Sequence, residues 1–228
     1  MSILNKGEEY EELLYRQLGS FWNDFDRSVI HNAIPSALQS VESCFGELPN
    51  DRSDTGKGVK FSPYISIHWM IFLYRLSRRI YENGGLNPSK EADQVYYLNK
   101  IMHSTDWYYA IDLPVHFLCE HPLGSVLGRA QYGDYFFVYQ GTTVGGNRKN
   151  GRIYYPVIGN NVILFANATV LGDTHIGNNV VLSADSCLIN ENVPDNCMVF
   201  GKSPDIIIKK KSVDEIKSYT EHIWGWDD

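Results

Sequence analysis

The sequence predicts an α+β chain: an N-terminal α-helical domain, then a parallel β-helix of hexapeptide repeats, then a short C-terminal helix. Three observations predict it. Ile158, Leu164, Val170, Ile176, Leu182 and Leu188 are aliphatic and fall six residues apart. Four residues after each stands a smaller or β-branched residue, Val162, Ala168, Thr174, Val180 and Ser186, until the polar Asn192 ends the series. Before residue 110 the apolar residues follow helical spacing instead. A fixed six-residue period is the signature of a parallel β-helix, in which each coil buries its apolar row against its neighbours.

Residues 1–110 form the helical domain. Glu8–Leu18 and Trp22–Val41 carry apolar residues at helix spacing, and the polar, Gly-containing Pro49–Gly58 breaks the pattern. Ser66–Tyr81 resumes it with Ile67, Ile71, Tyr74 and Arg75, and Asn83-Gly84-Gly85 stops it, since glycine past the last periodic residue suits a helix C-cap. Glu91–His103 is the fourth helix. Residues 111–208 form the β-helix, with Gly159, Gly172, Gly177, Asn160, Asn161, Asn178 and Asn179 at its corners. An upstream series, Val126, Tyr132, Val138 and Val144, keeps the beat in another phase. From Val144 to Ile158 the interval is 14 rather than 12, so a loop with Asn147, Arg148, Lys149, Asn150, Gly151 and Arg152 protrudes around Gly146–Tyr155. The coils end near Gly201-Lys202-Ser203-Pro204, and residues 209–228 are a tail with a helix at Val213–Ile223.

Bulk properties narrow the function classes. A net charge of −7 argues against a general nucleic-acid or anionic-membrane binder. No apolar run reaches the length of a membrane span. The start, MSILNKGEEYEELL, turns acidic too soon for a signal peptide, so a cytoplasmic location is expected. The four cysteines, Cys44, Cys119, Cys187 and Cys197, form no CxxC pair and read as reduced thiols.

Chemistry concentrates where the coils begin. His121 stands beside Glu120 and is preceded by Asp112. A histidine with a carboxylate on one ring nitrogen is a good general base, because the acid fixes the tautomer and stabilises the imidazolium. The paired glycines Gly145 and Gly146 let a backbone approach a ligand and offer N–H donors, with Arg148, Lys149 and Arg152 beside them.

From about Asp112 to Lys210 the chain resembles the catalytic domain of serine acetyltransferases and their hexapeptide-repeat relatives. The motifs are Glu120-His121, Tyr139-Gln140-Gly141-Thr142-Thr143-Val144-Gly145-Gly146, Pro156 to Val162, Ala166 to Gly172, and Val199 to Pro204. The resemblance implies a left-handed parallel β-helix that assembles as a homotrimer or a dimer of trimers; the sequence itself suggests such assembly through the aromatics Tyr132, Tyr135, Phe136, Phe137 and Tyr139, expected to be exposed. The resemblance also implies direct acetyl transfer from acetyl-CoA, with no metal, to a small-molecule acceptor: L-serine, or else a sugar hydroxyl or amine. His121 matches the general base and Glu120 an acid that contacts the acceptor's amino group. Gly145, Gly146, Ala166, Ser183 and Ala184 match the pantetheine channel, and Lys202 with Lys209–Lys211 reaches toward the CoA phosphates. Asp112, by its Ile-Asp-Leu-Pro setting, or Asp106, by its spacing, partners His121. Three departures stand out. Tyr154 and Tyr155 replace the Arg-His pair that grips the acceptor carboxylate, leaving Arg152 nearby. The segment before His121 is shortened. The chain ends Trp-Asp-Asp rather than in the isoleucine tail that docks the family's sulfhydrylase, so that complex is not expected.

Two rival classes share the solenoid. His116 and His121 have the H-x4-H spacing of a zinc γ-carbonic anhydrase, with His103 or His175 as a third ligand. A non-catalytic scaffold is the other, although it needs neither the Glu120-His121 pair nor a basic loop.

Overall fold

A computed structural model describes residues 7–46, 48, 60–85 and 89–224; the expected break at residues 49–58 and the end at 226–228 lie outside them. The chain divides into two compact units, Met1–Ala110 and Ile111–Asp228.

The first unit contains helices α1 (Gly7–Gly19), α2 (Arg27–Phe45), α3 (Ser66–Gly84) and α4 (Lys90–His103). Helix α3 is its centre: Trp69, Ile71, Phe72, Leu73, Leu76 and Ile80 are fully buried, and α2 and α4 pack against it. The Trp69 indole donates to Gln17 on α1 at 2.9 Å, and buried Asn99 on α4 donates to the Met70 carbonyl at 3.1 Å. Helix α2 starts at Arg27 rather than Trp22, because the Asp26 carboxylate accepts the Ser28 N–H at 2.8 Å and caps the helix there. It continues past Val41 to Phe45, whose side chain is buried with that of Cys44. Helix α3 stops where Gly85 takes a φ of 59°.

In the second unit parallel strands coil into a three-faced solenoid of about five turns, the fold class expected from the repeat. One face stacks Phe117–Cys119, Phe136–Val138, Val162–Leu164, Val180–Leu182 and the start of Cys197–Lys202. The second stacks Val126–Leu127, Thr143–Gly145, Thr169–Leu171 and Cys187–Ile189. The third stacks Gln131–Tyr132, Val157–Ile158, His175–Ile176 and Asn192–Val193. Val162 lies on Val180, Val170 on Leu188 and Ile158 on Ile176, each 18 residues apart, so one coil is three six-residue beats. Leu164, Val170, Ile176, Leu182 and Leu188 are buried and fill the bore.

Corners explain the asparagines. Asn161 and Asn179 take positive φ, and their amides form a ladder, Asn161 to Asn179 at 3.0 Å and Asn179 to Asn196 at 2.9 Å. Their neighbours do another job: Asn178 and Asp195 side chains accept the backbone N–H of Asn160 and Asn178 one coil away. Gly159 is needed for proximity, since a Cβ there would lie 2.7 Å from the Gly177 carbonyl carbon.

Two details differ from the periodicity. Leu127 fills the bore on Val144, and Val126 points outward, 40% exposed. Six residues lie between Cys119 and Val126, whereas four lie between their stacked partners Val138 and Thr143, so the first coil carries two extra residues at that corner. Val144 and Ile158 are successive bore residues, so their 14-residue interval is one beat of six plus eight inserted residues, not two beats. The insertion is ordered as an antiparallel hairpin, Asn147–Lys149 with Arg152–Tyr154, turning at Asn150-Gly151 where φ is 51° and 77°.

Helix α5 (Val213–Trp224) follows the last strand. Ser212 and Glu215 form a reciprocal capping box: the Ser212 hydroxyl accepts the Glu215 N–H at 3.1 Å and the Glu215 carboxylate accepts the Ser212 N–H at 2.9 Å. Ile216, Thr220 and Trp224 form its buried stripe. The Trp224 ring meets Tyr135 at 5.3 Å and Phe137 at 6.3 Å, both edge-on, which lays α5 on the first face. The aromatics expected to be exposed are therefore not. Phe136 is in the bore and Phe137 is covered by Trp224; Tyr132 donates to the Gly128 carbonyl at 2.6 Å, Tyr135 stacks on His116, and Tyr139 stacks on Phe165. Cys44, Cys119, Cys187 and Cys197 are free thiols, and no helix among the described residues is long and apolar enough to cross a membrane.

The bore assignment has a direct test. Leu127→Ala should lower unfolding stability by about 2–5 kcal/mol. Val126→Ala, one residue away but outward, should cost well under about 1 kcal/mol in the same urea titration.

Candidate functional site

The two extra residues of the first coil fall within His121-Pro122-Leu123. The stack holds its register through Glu120, whose N–H donates to the Val138 carbonyl at 3.1 Å, and resumes where Val126 donates to Thr142 at 2.8 Å. His121 sits on the resulting bulge with a φ of 48° and its side chain 77% exposed. Positive φ is uncommon outside glycine and asparagine, and here it turns the imidazole away from the coil wall. The Glu120 carboxylate lies 3.8 Å from His121 Nε2, within ion-pair range.

Glu120 is held in turn by the coil beneath. The backbone ladder stacks Glu120, Tyr139, Phe165 and Ser183 on one corner. The Tyr139 ring lies parallel on Phe165, 5.0 Å between centroids, and its hydroxyl feels the charge of the Glu120 carboxylate. Burial, and then the charge of Glu120, push the Tyr139 hydroxyl up to about 12, so it stays a donor throughout the physiological range. Ala166 and Ser183-Ala184 fall on this same corner; the Ser183 hydroxyl is 2.9 Å from that of Ser186.

The second group of expected site residues gathers at the next corner. Gly145 ends the strand Thr143–Gly145, and Gly146 opens the hairpin that carries Arg152 and Tyr154. A Cβ on Gly146 would lie 2.8 Å from the Tyr155 ring and 2.9 Å from Ile153 Cγ2, so this glycine lets the hairpin fold against its own base. The Arg129 guanidinium caps the Tyr155 ring at 5.3 Å. Arg148, Lys149 and Arg152 are exposed on the hairpin. Within one chain the two groups do not meet. They stand at opposite ends of the second face, four residues apart along Gly141 to Gly145, or roughly 13 Å at ~3.3 Å per residue. Lys202 is exposed and pairs with Cys187 on that second face, in the last coil.

Of the remaining candidates, Asp112 is exposed at the start of the second unit. Asp106 belongs to the first unit, where it accepts from the Tyr96 hydroxyl at 2.5 Å and from Lys100 at 2.6 Å. Burial raises its carboxyl, but these donors outweigh that and hold it below the usual carboxylate range. The H-x4-H pair splits: His116 turns to Asp134 at 2.7 Å and stacks on Tyr135, while His121 faces Glu120. His103 accompanies Asn99 at 2.7 Å, and His175 stands 4.0 Å from Asp173. Among the described residues no group of three His, Cys, Asp or Glu side chains is arranged to hold a metal.

Sequence reasoning passed over two partnerships. His116 and Asp134 are 18 residues apart, one short of the 19-residue offset that stacks Phe117 on Phe136 in this coil, so the six-residue period pointed only to their neighbourhood. Tyr139 falls one position after the bore residue Val138, as Glu120 does after Cys119, and stacking of equivalent positions brings them together.

Comparison with known proteins agrees with this fold. Residues 155–190 match the family model described as bacterial transferase hexapeptide (six repeats). A serine acetyltransferase of Synechococcus elongatus is 36% identical over 83 residues, 36% of this chain and 34% of that protein. One from Mycobacterium tuberculosis is 26% identical over 145 residues, 63% of this chain and 61% of that protein. The chain thus spans less than two thirds of the length of these curated relatives. The crystal structure of Neisseria gonorrhoeae serine acetyltransferase superposes with a TM-score of 0.68 at 20% identity, covering 95% of this chain and 94% of that one. The Brucella abortus serine acetyltransferase in complex with coenzyme A gives 0.65 at 19% identity, covering 92% and 86%. The solved structures share the fold, and the sequence relatives show similarity to serine acetyltransferases.

The packing role of Gly146 is testable. Gly146→Ala forces Tyr155 or Ile153 to move and should cost about 1–3 kcal/mol by thermal or urea unfolding, with an altered Tyr155 environment in NMR.

Proposed function

We propose that this chain is an acetyl-CoA-dependent O-acetyltransferase that acetylates the hydroxyl of L-serine, with His121 as general base. The observation that carries the reading is the exposed His121-Glu120 pair on a bulged corner, above Ala166 and Ser183-Ala184 on the same edge of the stack. The names of the sequence relatives support it, as do the neighbouring structures solved with coenzyme A and with serine.

The chemistry needs no acyl-enzyme. The acceptor hydroxyl donates to the His121 imidazole and its oxygen attacks the thioester carbon. His121 takes the proton as the C–O bond forms. Backbone N–H groups near Gly145 and Gly146 receive the developing oxyanion. The C–S bond then breaks, and the thiolate leaves with the proton returned by His121. An acid must steady the imidazolium. The 3.8 Å approach of Glu120 supports it in that role, and Asp112 is the second candidate. Lys202 would meet a CoA phosphate, and Arg152, Tyr154 and Tyr155 would line the acceptor.

The reading includes a homotrimer, alone or paired as a dimer of trimers. A His121 corner and a Gly145-Gly146 corner roughly 13 Å apart on one rigid chain can form one site if the second corner comes from a neighbouring copy. The enzyme would work in the cytoplasm.

The test is thiol release from acetyl-CoA with a panel of acceptors, L-serine and amino sugars first. Serine alone should support turnover; turnover only with a sugar would reject the acceptor. His121→Ala should lower kcat by about 10²–10⁴ while acetyl-CoA still binds by calorimetry. Normal turnover in that variant would refute the base. Glu120→Gln should lower kcat more than Asp112→Asn does.

A further inference from the structure

We propose that the terminal strand Asp205–Lys210 is a self-pairing edge through which two copies of this chain join antiparallel and continue one sheet from solenoid to solenoid. The strand runs antiparallel to Cys197–Lys202, and among the described residues no strand pairs with its other edge. Its side chains are open to solvent: Ile207 is 56% exposed and Ile208 38%, and Asp205, Lys209 and Lys210 are exposed.

The register fixes which backbone groups face outward. Lys211 N–H donates to the Asn196 carbonyl at 2.8 Å, and these two residues continue the pairing of Cys197 with Lys210. In an antiparallel ladder inward bonding alternates along the strand. Asp205, Ile207 and Lys209 therefore bond toward the solenoid, and the N–H and C=O groups of Ile206, Ile208 and Lys210 face the free edge.

A second copy fits that edge in one favourable register. Twofold pairing must place outward-bonding residues opposite outward-bonding residues. Centred on Ile207, it sets Ile206 against Ile208 of the second copy and Ile207 against Ile207, a closely spaced pair without ladder bonds. It also sets Asp205 against Lys209, twice by symmetry, on the face that carries Ile207. The neighbouring register, centred on Ile208, sets Ile207 against Lys209 and Ile206 against Lys210 instead. Opposite charges directly across a strand pair stabilise and like charges oppose, so the sequence Asp-Ile-Ile-Ile-Lys-Lys is self-complementary in the first register only. Because solenoid strands lie across the coil axis, the free edge points along that axis, and pairing joins two stacks end to end. This contact is separate from any contact between solenoids side by side.

Sedimentation velocity over a concentration series tests it. Unaltered protein should reach twice the mass of Ile208→Pro, in which an outward N–H is lost while the ladder to Cys197–Lys202 stays whole. Asp205→Lys and Lys209→Asp should each weaken the doubling by about tenfold or more. The double variant D205K/K209D should restore it. Equal masses for unaltered protein and Ile208→Pro, or a double variant no better than either single one, would overturn the proposal. Far-UV circular dichroism and melting of each variant report folding, and the charge variants decide the matter if Ile208→Pro does not fold. Lysines that merely repel neighbouring edges predict the first of those overturning results.

Discussion

The bore of the solenoid governs the second unit. Each beat of six points a large aliphatic side chain into the bore, and on the first face its neighbours are buried as well, Val162, Ile163 and Leu164 together, so the constraint is tightest there. Stability comes from coil on coil, since Leu164, Leu182 and Val199 bury one another along a row rather than within a local hairpin. A chain built this way can add residues only at corners. It does so twice among the coils, at His121-Pro122-Leu123 and in the hairpin after Gly146. Both additions carry polar side chains outward, which the bore neither requires nor forbids. They are the places where selection other than packing can act.

That constraint also decides what the sequence could tell. From Ile158 to Leu188 the beat is unbroken, and the bore and corners there were legible because each beat of six carries one bore residue; the last coil drops a residue and stacks Val193 on Ile176 at an offset of 17, which the period did not show. Upstream the two insertions shift the phase. Val126 and Leu127 are both aliphatic, so spacing alone could not choose between them; the two extra corner residues decide it. The interval from Val144 to Ile158 read as a loop, and the Asn150-Gly151 turn that orders it as a hairpin was present in the sequence but outside the period. The aromatic cluster misled for another reason. Tyr135 and Phe137 sit where a solenoid face would meet solvent, and only the return of Trp224 from a helix nearly 90 residues downstream covers them. Long-range burial of this kind leaves no local mark.

The pair Glu120-His121 was legible as a motif, yet its support was not. An exposed imidazole on a bulge gains orientation only from what is beneath it. Here that is a column, with Tyr139 on the rung beneath Glu120 and lying flat on Phe165. Ring stacking restrains Tyr139, the backbone bond to the Val138 carbonyl fixes Glu120 above it, and the carboxylate lies within reach of the ring nitrogen. Two adjacent side chains on a mobile loop would lose more conformational freedom in adopting one geometry. Placing them on the last rung of a rigid ladder removes much of that cost before any ligand arrives.

Rigidity has an opposite consequence for assembly. A solenoid face cannot fold over to bring its two corners together, so residues on adjacent corners could share a ligand only across copies. The surfaces left for a neighbour are limited. On the first face the outward residues Phe137, Ile163 and Val181 are already buried in the single chain, with Trp224 of α5 seated on Phe137. The third face presents Gln131, Val157, His175 and Asn192, mostly polar. The second face presents Val126, Thr143, Gly145, Thr169, Leu171, Cys187 and Ile189, small, aliphatic or threonine and mostly half-buried. An uncharged strip of aliphatic and threonine side chains, flanked by the His121 corner on one side and the Gly145-Gly146 corner on the other, is suited to a neighbour's solenoid. Burying it would remove apolar area from water and, in the same act, bring unlike corners into one groove.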